Sequence, residues 1–167
     1  MKKALLTIAI GIALSTTGFA QKSDDKSDAL SVINKMFAEM ANHNPPAIAE
    51  VWTKESSLVA IVAGRDGKKR TVTFTGETFS KNFAEKKGEI KEDMYAPKVE
   101  VDGDIALISG RYAFFVDGKL SHCGLNAFQL VRLDGVWKVA NAVSSIDAGG
   151  CNETEKALKP PPVPAKQ

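Results

Sequence analysis

Hydrophobic residues near the start of the chain recur at helical spacing and predict two helices. From residue 28 onward, apolar side chains return every three or four residues, which places them on one face of a helix; they are Leu30, Ile33, Phe37 and Met40. Pro45-Pro46 follows, and proline suits the first turn of a helix, so a short second helix is predicted over 47–52.

Strand-length runs dominate the rest of the chain. Residues 57–63 and 70–75 predict one hairpin, and a weaker helical pattern follows over 76–84. Asp-Gly pairs then separate further runs between residues 90 and 147, and Asp-Gly between such runs is a strong hairpin signal; the pairs are Asp102-Gly103, Asp117-Gly118 and Asp134-Gly135. Helices followed by an antiparallel meander predict an α+β domain, with the helices covering one face of the sheet.

The last predicted hairpin carries a resemblance to a known superfamily. Residues 122–139 read HCGLNAFQLVRLDGVWKV, an apolar strand and a glycine turn that lead into Trp137-Lys138-Val139. This resembles the NTF2-like superfamily, in particular its small SnoaL-like and DUF4440-like domains, and the likeness extends over roughly residues 28–147. The resemblance implies a cone-shaped pocket between a curved antiparallel sheet and N-terminal helices. It implies no single activity, because relatives include isomerases, dehydratases, ligand-binding domains and association domains.

The first twenty residues have the pattern of a secretory signal peptide. Lys2 and Lys3 precede an apolar run over 4–14, and the small residues Gly18 and Ala20 mark cleavage before Gln21. The apolar run is about eleven residues long, whereas a membrane-spanning helix needs about twenty. A periplasmic or secreted protein without a membrane partner is therefore predicted. Its segments are the signal peptide 1–20, a flexible N-terminus 21–27, the NTF2-like domain 28–151 and a disordered proline-rich tail 152–167.

The charge balance argues against nucleic acid as a partner. The chain has 22 Lys and Arg against 20 Asp and Glu. The signal segment contains two lysines and no acidic residue, so the mature chain is formally neutral. Nucleic-acid binding depends on clustered positive charge, which the mature chain lacks outside a predicted hairpin tip at 65–70.

Strand pairing across the Asp-Gly turns predicts one wall of the pocket. If each turn has two residues, Phe128 lies opposite Asn141 and Asn126 opposite Val143, all on one face. Polar groups converging in an apolar recess are typical of a ligand site, and the predicted ligand-binding residues are Ser109, Arg111, Asn126, Phe128, Asn141 and Ser145. A small, partly apolar ligand is expected. A β-bulge in any of these strands would shift the pairing by one residue and move half of this set to the other face.

The same pairing places His122 opposite Asp147, which suggests catalysis. A carboxylate can orient an imidazole and make it a general base, as in a cofactor-independent lyase or isomerase. A pair of polar residues at a frayed sheet end is the alternative, so enzyme activity stays open, and no cofactor or metal is predicted. Ketosteroid-isomerase-like relatives need a pocket carboxylate, whereas Asn126 and Asn141 are neutral. His43, in the linker between the helices, is expected to be solvated.

The opposite sheet face is predicted to be apolar and to form a homodimer. It would contain Ala106, Ile108, Tyr112, Leu125, Ala127, Val131, Ala140, Ala142 and Ile146. So large an apolar area is costly to leave in water, and a second copy or the proline-rich tail could cover it. An association module is therefore a third functional hypothesis.

The two cysteines predict a disulfide. Cys123 lies on a predicted strand and Cys151 follows Gly149-Gly150, which permit the chain to reverse. An isolated pair in an oxidising compartment is most simply bonded. Neither cysteine has neighbours at the spacing of a zinc or redox motif.

Overall fold

This computed structural model describes residues 21–63, 66–147 and 149–161, which form four helices and six strands. The helices are α1 (Gln21–Ala41), α2 (Pro45–Glu50), α3 (Gly76–Lys81) and α4 (Glu153–Ala157). The strands are β1 (Trp52–Ala63), β2 (Lys69–Phe74), β3 (Ile90–Asp102), β4 (Ile105–Val116), β5 (Lys119–Leu133) and β6 (Val136–Ile146).

The strands form one six-stranded sheet in the order β2-β1-β6-β5-β4-β3. The β1–β2 hairpin and the β3–β6 meander are antiparallel, and β1 joins them by pairing parallel to β6. Helices α1 to α3 pack on one face, which we call the inner face, and bury the apolar core there. The predicted α+β architecture, a curved antiparallel sheet on N-terminal helices, is confirmed.

Two of the Asp-Gly turns have the geometry that the sequence predicts. Asp117-Gly118 and Asp134-Gly135 connect the directly paired residues Val116/Lys119 and Leu133/Val136, and all four turn residues have positive φ. This is typical of type I′ hairpins, which favour Asp-Gly. The first turn is displaced by one residue, because Asp102 pairs with Ile105 and leaves Gly103-Asp104 as the turn.

Single-residue bulges interrupt the meander shortly after two of these turns. In β5, Phe115 pairs with Leu120 but Phe114 pairs with His122, so Ser121 is an extra residue. In β6, Leu130 pairs with Val139 but Gln129 pairs with Asn141, so Ala140 is an extra residue. Each bulge reverses which alternate side chains face the helices beyond it. The predicted pairings are therefore correct between each turn and its bulge, as for Leu133 with Val136, and wrong beyond it: Phe128 pairs with Ala142 and not with Asn141.

Helix α1 supplies most of the helical side of the core. Ile33, Phe37 and Met40 are buried as predicted, and Met36 joins them. The helix begins at Gln21, which corrects the prediction of a flexible segment over 21–27. One contact that holds the first turns in place is an ion pair of 2.5 Å between Asp25 Oδ1 and Arg132 Nη1.

The chain after Asn152 also differs from the predicted disordered tail. Residues Glu153–Ala157 form α4, and the Asn152 side chain and Glu155 cap its start reciprocally. The predicted disulfide joins Cys123 to Cys151 with a Cα–Cα distance of 5.6 Å, which fastens this segment to β5. Residues 162–167, like the predicted signal peptide, lie outside the described residues.

Candidate functional site

A cavity of about 470 Å³ lies between the inner face of the sheet and the helices. Its wall is mostly apolar and aromatic, and includes Met36, Phe37, Met40, Trp52, Leu58, Phe74, Phe79, Phe83, Phe114 and Phe128. Trp52, Phe79 and Phe83 form an edge-to-face series with ring centroids 5.7 and 5.1 Å apart. Volume and lining are those of a small-molecule site, which commonly has an apolar body and few polar groups.

Four polar side chains of the cavity wall come from three neighbouring places in the fold. Glu92 lies near the start of β3, His122 and Asn126 lie on β5, and Lys86 lies on the loop between α3 and β3. Asn126 is almost fully buried, and its Nδ2 donates a hydrogen bond of 2.8 Å to Glu92 Oε1. One section of an otherwise apolar wall therefore contains a carboxyl, an amide, an imidazole and an ammonium.

Glu92 is the acidic group in this wall. Burial raises the pKa of Glu92 to about 7, and the hydrogen bond from Asn126 and the charge of Lys86 offset only part of this. At neutral pH the carboxyl is therefore divided between its protonated and ionised forms. In the protonated form it can donate a hydrogen bond, and in the ionised form it can accept a proton.

His122 lies in the same wall but is shielded from protonation. Its ring stacks on Phe114 with centroids 4.6 Å apart. Burial, with a further effect from the Lys86 charge, lowers the pKa of His122 to about 4. The imidazole is thus uncharged at neutral pH, where it offers one donor and one acceptor nitrogen.

The loop that carries Lys86 is fastened at both ends. His43 Nδ1 and Nε2 lie 3.1 and 3.0 Å from the carbonyl oxygens of Phe83 and Gly88, so His43 is a structural contact and not a solvated linker residue. Asp117 Oδ1 accepts a hydrogen bond of 2.8 Å from the backbone N–H of Glu89. Between these contacts, Lys86 Nζ lies 4.8 and 5.0 Å from the ring centroids of Phe83 and Phe114. Burial lowers the pKa of Lys86, and Glu92 partly counteracts this.

The structure divides the predicted ligand-binding residues between the two faces of the sheet. Asn126, Phe128 and His122 line the cavity. The other four are absent from its wall and lie on the opposite, outer face because of the bulges at Ser121 and Ala140; they are Ser109, Arg111, Asn141 and Ser145. Ser144 takes the place that Ser145 was predicted to occupy.

Three of the four displaced residues, Arg111, Asn141 and Ser145, have a local side-chain contact on the outer face. Arg111 Nε donates a hydrogen bond of 2.5 Å to Glu155 Oε1, and Tyr95 Oη donates one of the same length to that oxygen. Ser145 Oγ accepts from the Leu125 N–H at 3.0 Å, and Asn141 Nδ2 donates to Gln129 Oε1 at 3.3 Å. We call Glu155, Arg111, Tyr95 and the Cys123–Cys151 disulfide the clasp, because together they hold α4 on the sheet.

The predicted His122–Asp147 pair is not formed. Asp147 bridges to Cys123 on the outer side, and its Oδ1 accepts hydrogen bonds from the backbone N–H groups of Gly149 and Gly150. The side chain of Asp147 therefore caps the turn that leads to Cys151. The pairing fails because the bulge at Ala140 moves Asp147 by one position relative to His122.

Glu92 and Lys86 are cavity residues that were not predicted from the sequence. A readable signal existed for Glu92, since it lies between the buried residues Ile90 and Met94 with the alternation of an inward-facing strand position. An acidic residue at such a position marks an enclosed carboxyl. Lys86 had no comparable signal, because its loop is placed by the distant contacts of His43 and Asp117.

A metal-ligating set is not available in the clasp. Cys123, Cys151 and Glu155 bring their ligand atoms within 4.8 Å of one another. The two sulfur atoms are bonded to each other, however, and both Glu155 oxygens accept hydrogen bonds from Tyr95, Arg111 and the Asn152 N–H. These donor atoms are already used within the protein.

None of the helices among the described residues is both long and apolar enough to cross a membrane.

Comparisons with known proteins identify similar folds but no close relative. No family model matches the chain, and no curated protein matches its sequence. Among solved structures, an NTF2-like protein with a cystatin-like fold from Novosphingobium aromaticivorans has a TM-score of 0.64 at 10% identity, covering 86% of this chain and 97% of its own. A candidate dehydratase of the NTF2-like family from Streptomyces avermitilis has a TM-score of 0.60 at 14% identity, covering 75% and 97%.

A further solved structure is a candidate association domain of calcium/calmodulin-dependent protein kinase II from Xanthomonas campestris. Its TM-score is 0.57 at 21% identity, and the match covers 87% of this chain and 99% of the other. Identities this low establish a shared fold and nothing about the site. The chemistry of the cavity therefore has to be argued from the residues of this chain.

Proposed function

We propose that this chain, which has the NTF2-like fold, binds a small, partly apolar ligand in its cone-shaped cavity. The main support is the composition of the wall of the 470 Å³ cavity. Its side chains are mostly apolar and aromatic, and they surround the hydrogen-bonded polar pair Glu92–Asn126. The apolar body of a ligand would displace water from the rings, and its polar group would bind the carboxyl and amide.

Filling the cavity tests this proposal. Ala60 is buried and lines the cavity from β1, so Ala60→Leu should occupy ligand volume and weaken binding of an apolar fluorescent probe at least tenfold. Val59, its neighbour on the outer face, provides the matched control Val59→Leu, which should bind the probe as the wild type does. Equal binding by all three proteins, each with an unchanged circular dichroism spectrum, would contradict a ligand site here.

A second candidate function is proton transfer in a cofactor-independent lyase or isomerase. Glu92 favours it, because a carboxyl whose pKa is about 7 can take and return a proton at neutral pH. In this version Glu92 is the base in place of the His122–Asp147 pair, and the uncharged His122 can donate a hydrogen bond to developing negative charge. Glu92→Gln keeps the shape of the group and removes its basicity. If the variant still turns over a substrate of the wild type, the enzyme proposal is contradicted. The ligand-binding proposal would be unaffected by that result.

We also propose a homodimer through the outer face of the sheet. The prediction for this face was wrong for Ala106, Ile108, Tyr112, Ala142 and Ile146, which lie on the inner side in the core or the cavity wall. Leu107, Leu125 and Val143 lie on the outer face, each nearly half exposed, although they belong to three adjacent central strands. A second copy packed on this strip would remove it from water. Leu125→Lys should convert a dimer to a monomer in native mass spectrometry, whereas Leu133→Lys at the β5–β6 turn should not. A wild-type monomer would contradict the proposal.

Export to the periplasm or cell exterior is the fourth part of the proposal. It rests on the signal-peptide pattern over 1–20 and on the Cys123–Cys151 disulfide, since such bonds persist in oxidising compartments. Mass spectrometry of the protein from a secreting host should find an N-terminus at Gln21. An intact Met1 in the exported fraction would contradict cleavage after Ala20.

A further inference from the structure

The position of Lys86 narrows the chemistry of the ligand. Its ammonium lies over the faces of Phe83 and Phe114 at the polar section of the cavity. Among the described residues it has no salt-bridge partner, although other lysines of the same region, such as Lys81 and Lys91, are paired with glutamates. Lys86 lines the cavity but is itself exposed. Because its ammonium lies over two rings and has no salt-bridge partner in the described part of the chain, it can pair with an anion that enters the cavity.

The remaining polar groups of this section add little negative charge. His122 is uncharged, and Glu92 is largely protonated below neutral pH. Glu92 Oε1 accepts from Asn126, while Oε2 has no hydrogen-bond partner among the described residues and is free to carry the proton. A protonated carboxyl beside an ammonium forms a donor pair suited to an incoming carboxylate.

Cationic ligands are disfavoured by the same arrangement. The two rings beside the polar section, Phe83 and Phe114, already have Lys86 over their faces. An ammonium ligand would have to displace this side chain or bind beside a like charge. The contacts of His43 and Asp117 oppose displacement, because they fasten the loop that carries Lys86.

Building on the proposed ligand-binding function, we infer that the cavity binds a monoanionic carboxylic acid with an apolar body. Its carboxylate lies between the Lys86 ammonium, the Glu92 carboxyl and the Asn126 amide, and its apolar body lies against the aromatic wall. His122, stacked on Phe114, closes the polar section from the β5 side. Binding takes up a proton where Glu92 is ionised in the free protein, because two adjacent carboxylates repel each other.

The pH dependence follows from the groups around Glu92. On β3 itself, Lys91 and Asp93 flank Glu92. Lys86 faces it from the loop, and Tyr112 and His122 face it from β4 and β5. Helix α1 contributes Asn34 and Phe37, which do not titrate. Lys91 is paired with Glu89, and His122 stays uncharged above about pH 4. Glu92 is therefore the group near this site whose protonation changes around neutral pH.

Three probes of equal shape and different charge test the inference on the full chain. Naphthylacetate is an anion, naphthylethanol is neutral and naphthylethylamine is a cation throughout the range from about pH 6 to about pH 8. Isothermal titration calorimetry at both pH values, in two buffers of different ionisation enthalpy, gives the affinity and the protons taken up.

We expect naphthylacetate to bind most tightly and to weaken about tenfold between the lower and the higher pH, as Glu92 loses its proton. Glu92→Gln should abolish this dependence while keeping the tight binding. Lys86→Met should weaken naphthylacetate about tenfold and leave naphthylethanol unchanged. Lys87→Met, a neighbouring change outside the cavity wall, should alter neither.

Other results would overturn the inference in distinguishable ways. If naphthylethanol binds and naphthylacetate binds no better, the cavity is a ligand site but not one for acids. If naphthylethylamine binds most tightly, and Lys86→Met strengthens it, the site selects cations. If none of the three binds the wild type, the proposed ligand-binding function fails together with the inference.

Discussion

Two enclosed glutamates on opposite faces of the sheet behave in opposite ways. Glu155, in the clasp, is completely buried, yet its pKa is lowered: burial would raise it, but hydrogen bonds from Tyr95, the Asn152 N–H and Arg111 outweigh the burial. Glu92, in the cavity wall, receives one side-chain hydrogen bond from Asn126, and burial raises its pKa to about 7. The number of donors, more than the depth of burial, decides whether an enclosed carboxyl is ionised.

The two glutamates also differ in what remains available around them. Both carboxylate oxygens of Glu155 accept hydrogen bonds from within the protein. Among the described residues, Lys86 has no salt-bridge partner and Glu92 Oε2 has no hydrogen-bond partner, so this section of the cavity wall has polar groups available for the proposed ligand.

The largest effect is expected from removing the covalent part of the clasp. The disulfide closes a loop with a sequence separation of 28 residues. Its loss in Cys123→Ser/Cys151→Ser should lower the free energy of unfolding by about 3–4 kcal/mol. Urea denaturation measures the change in the free energy of unfolding. The pKa of Glu92, measured by NMR, should stay the same, because the cavity lies on the other face of the sheet. A stability equal to the wild type would show that α4 is held by its other contacts alone.

The second effect is expected from removing the charge of Glu92. Since its folded-state pKa lies above the ordinary value of 4.5, the folded protein binds this proton more tightly, and stability declines as pH rises from about 4.5 through about 7. Glu92→Gln should therefore raise the free energy of unfolding by about 2–3 kcal/mol at about pH 8 and leave it almost unchanged at about pH 3, below both pKa values. Glu100→Gln, an exposed change on the same strand, is the control. The same gain at both pH values would mean that the carboxyl is not enclosed.

The smallest effect is expected from Glu155→Gln. The glutamine side chain keeps two hydrogen-bonding atoms but lacks the negative charge to which Arg111 and Tyr95 donate hydrogen bonds. The free energy of unfolding should therefore fall by about 1–2 kcal/mol at neutral pH. Because the pKa of Glu155 is lowered, its stabilisation is present above the ordinary value of 4.5 and disappears as pH falls through the folded-state value. The stability lost in Glu155→Gln should thus become smaller in acid. The effect has the opposite sign to that of Glu92→Gln, which gains stability. Glu153→Gln on the exposed side of α4 should show neither trend.

The sequence predicts the turns of the meander well and the faces of its strands poorly. Asp117-Gly118 and Asp134-Gly135 set the local pairing because both residues of each turn adopt positive φ. No residue of special backbone preference marks the bulges at Ser121 and Ala140, so the register beyond them could not be read. That single unknown moved Arg111, Asn141 and Asp147 from the predicted site to the outer face.

In the C-terminal segment, by contrast, the sequence did contain a helix signal, but the clustered prolines were given more weight. Clustered prolines predicted disorder, but Asn152 and Glu155 are spaced as a capping box at the start of a helix. Two partners of Glu155, Tyr95 on β3 and Arg111 on β4, lie 60 and 44 residues away in sequence. Such contacts between distant segments become visible only in the folded chain.

The disulfide also makes a closed covalent ring of β5, β6 and the turn that joins them. The exposed tip at Asp134-Gly135 lies inside this ring, whereas the tip at Asp117-Gly118 lies outside it. A protease that cuts the first tip leaves a molecule whose two pieces remain linked, with the cavity wall intact. A cut at the second tip leaves only non-covalent contacts between the two pieces, so proteolysis at this turn is the more damaging of the two.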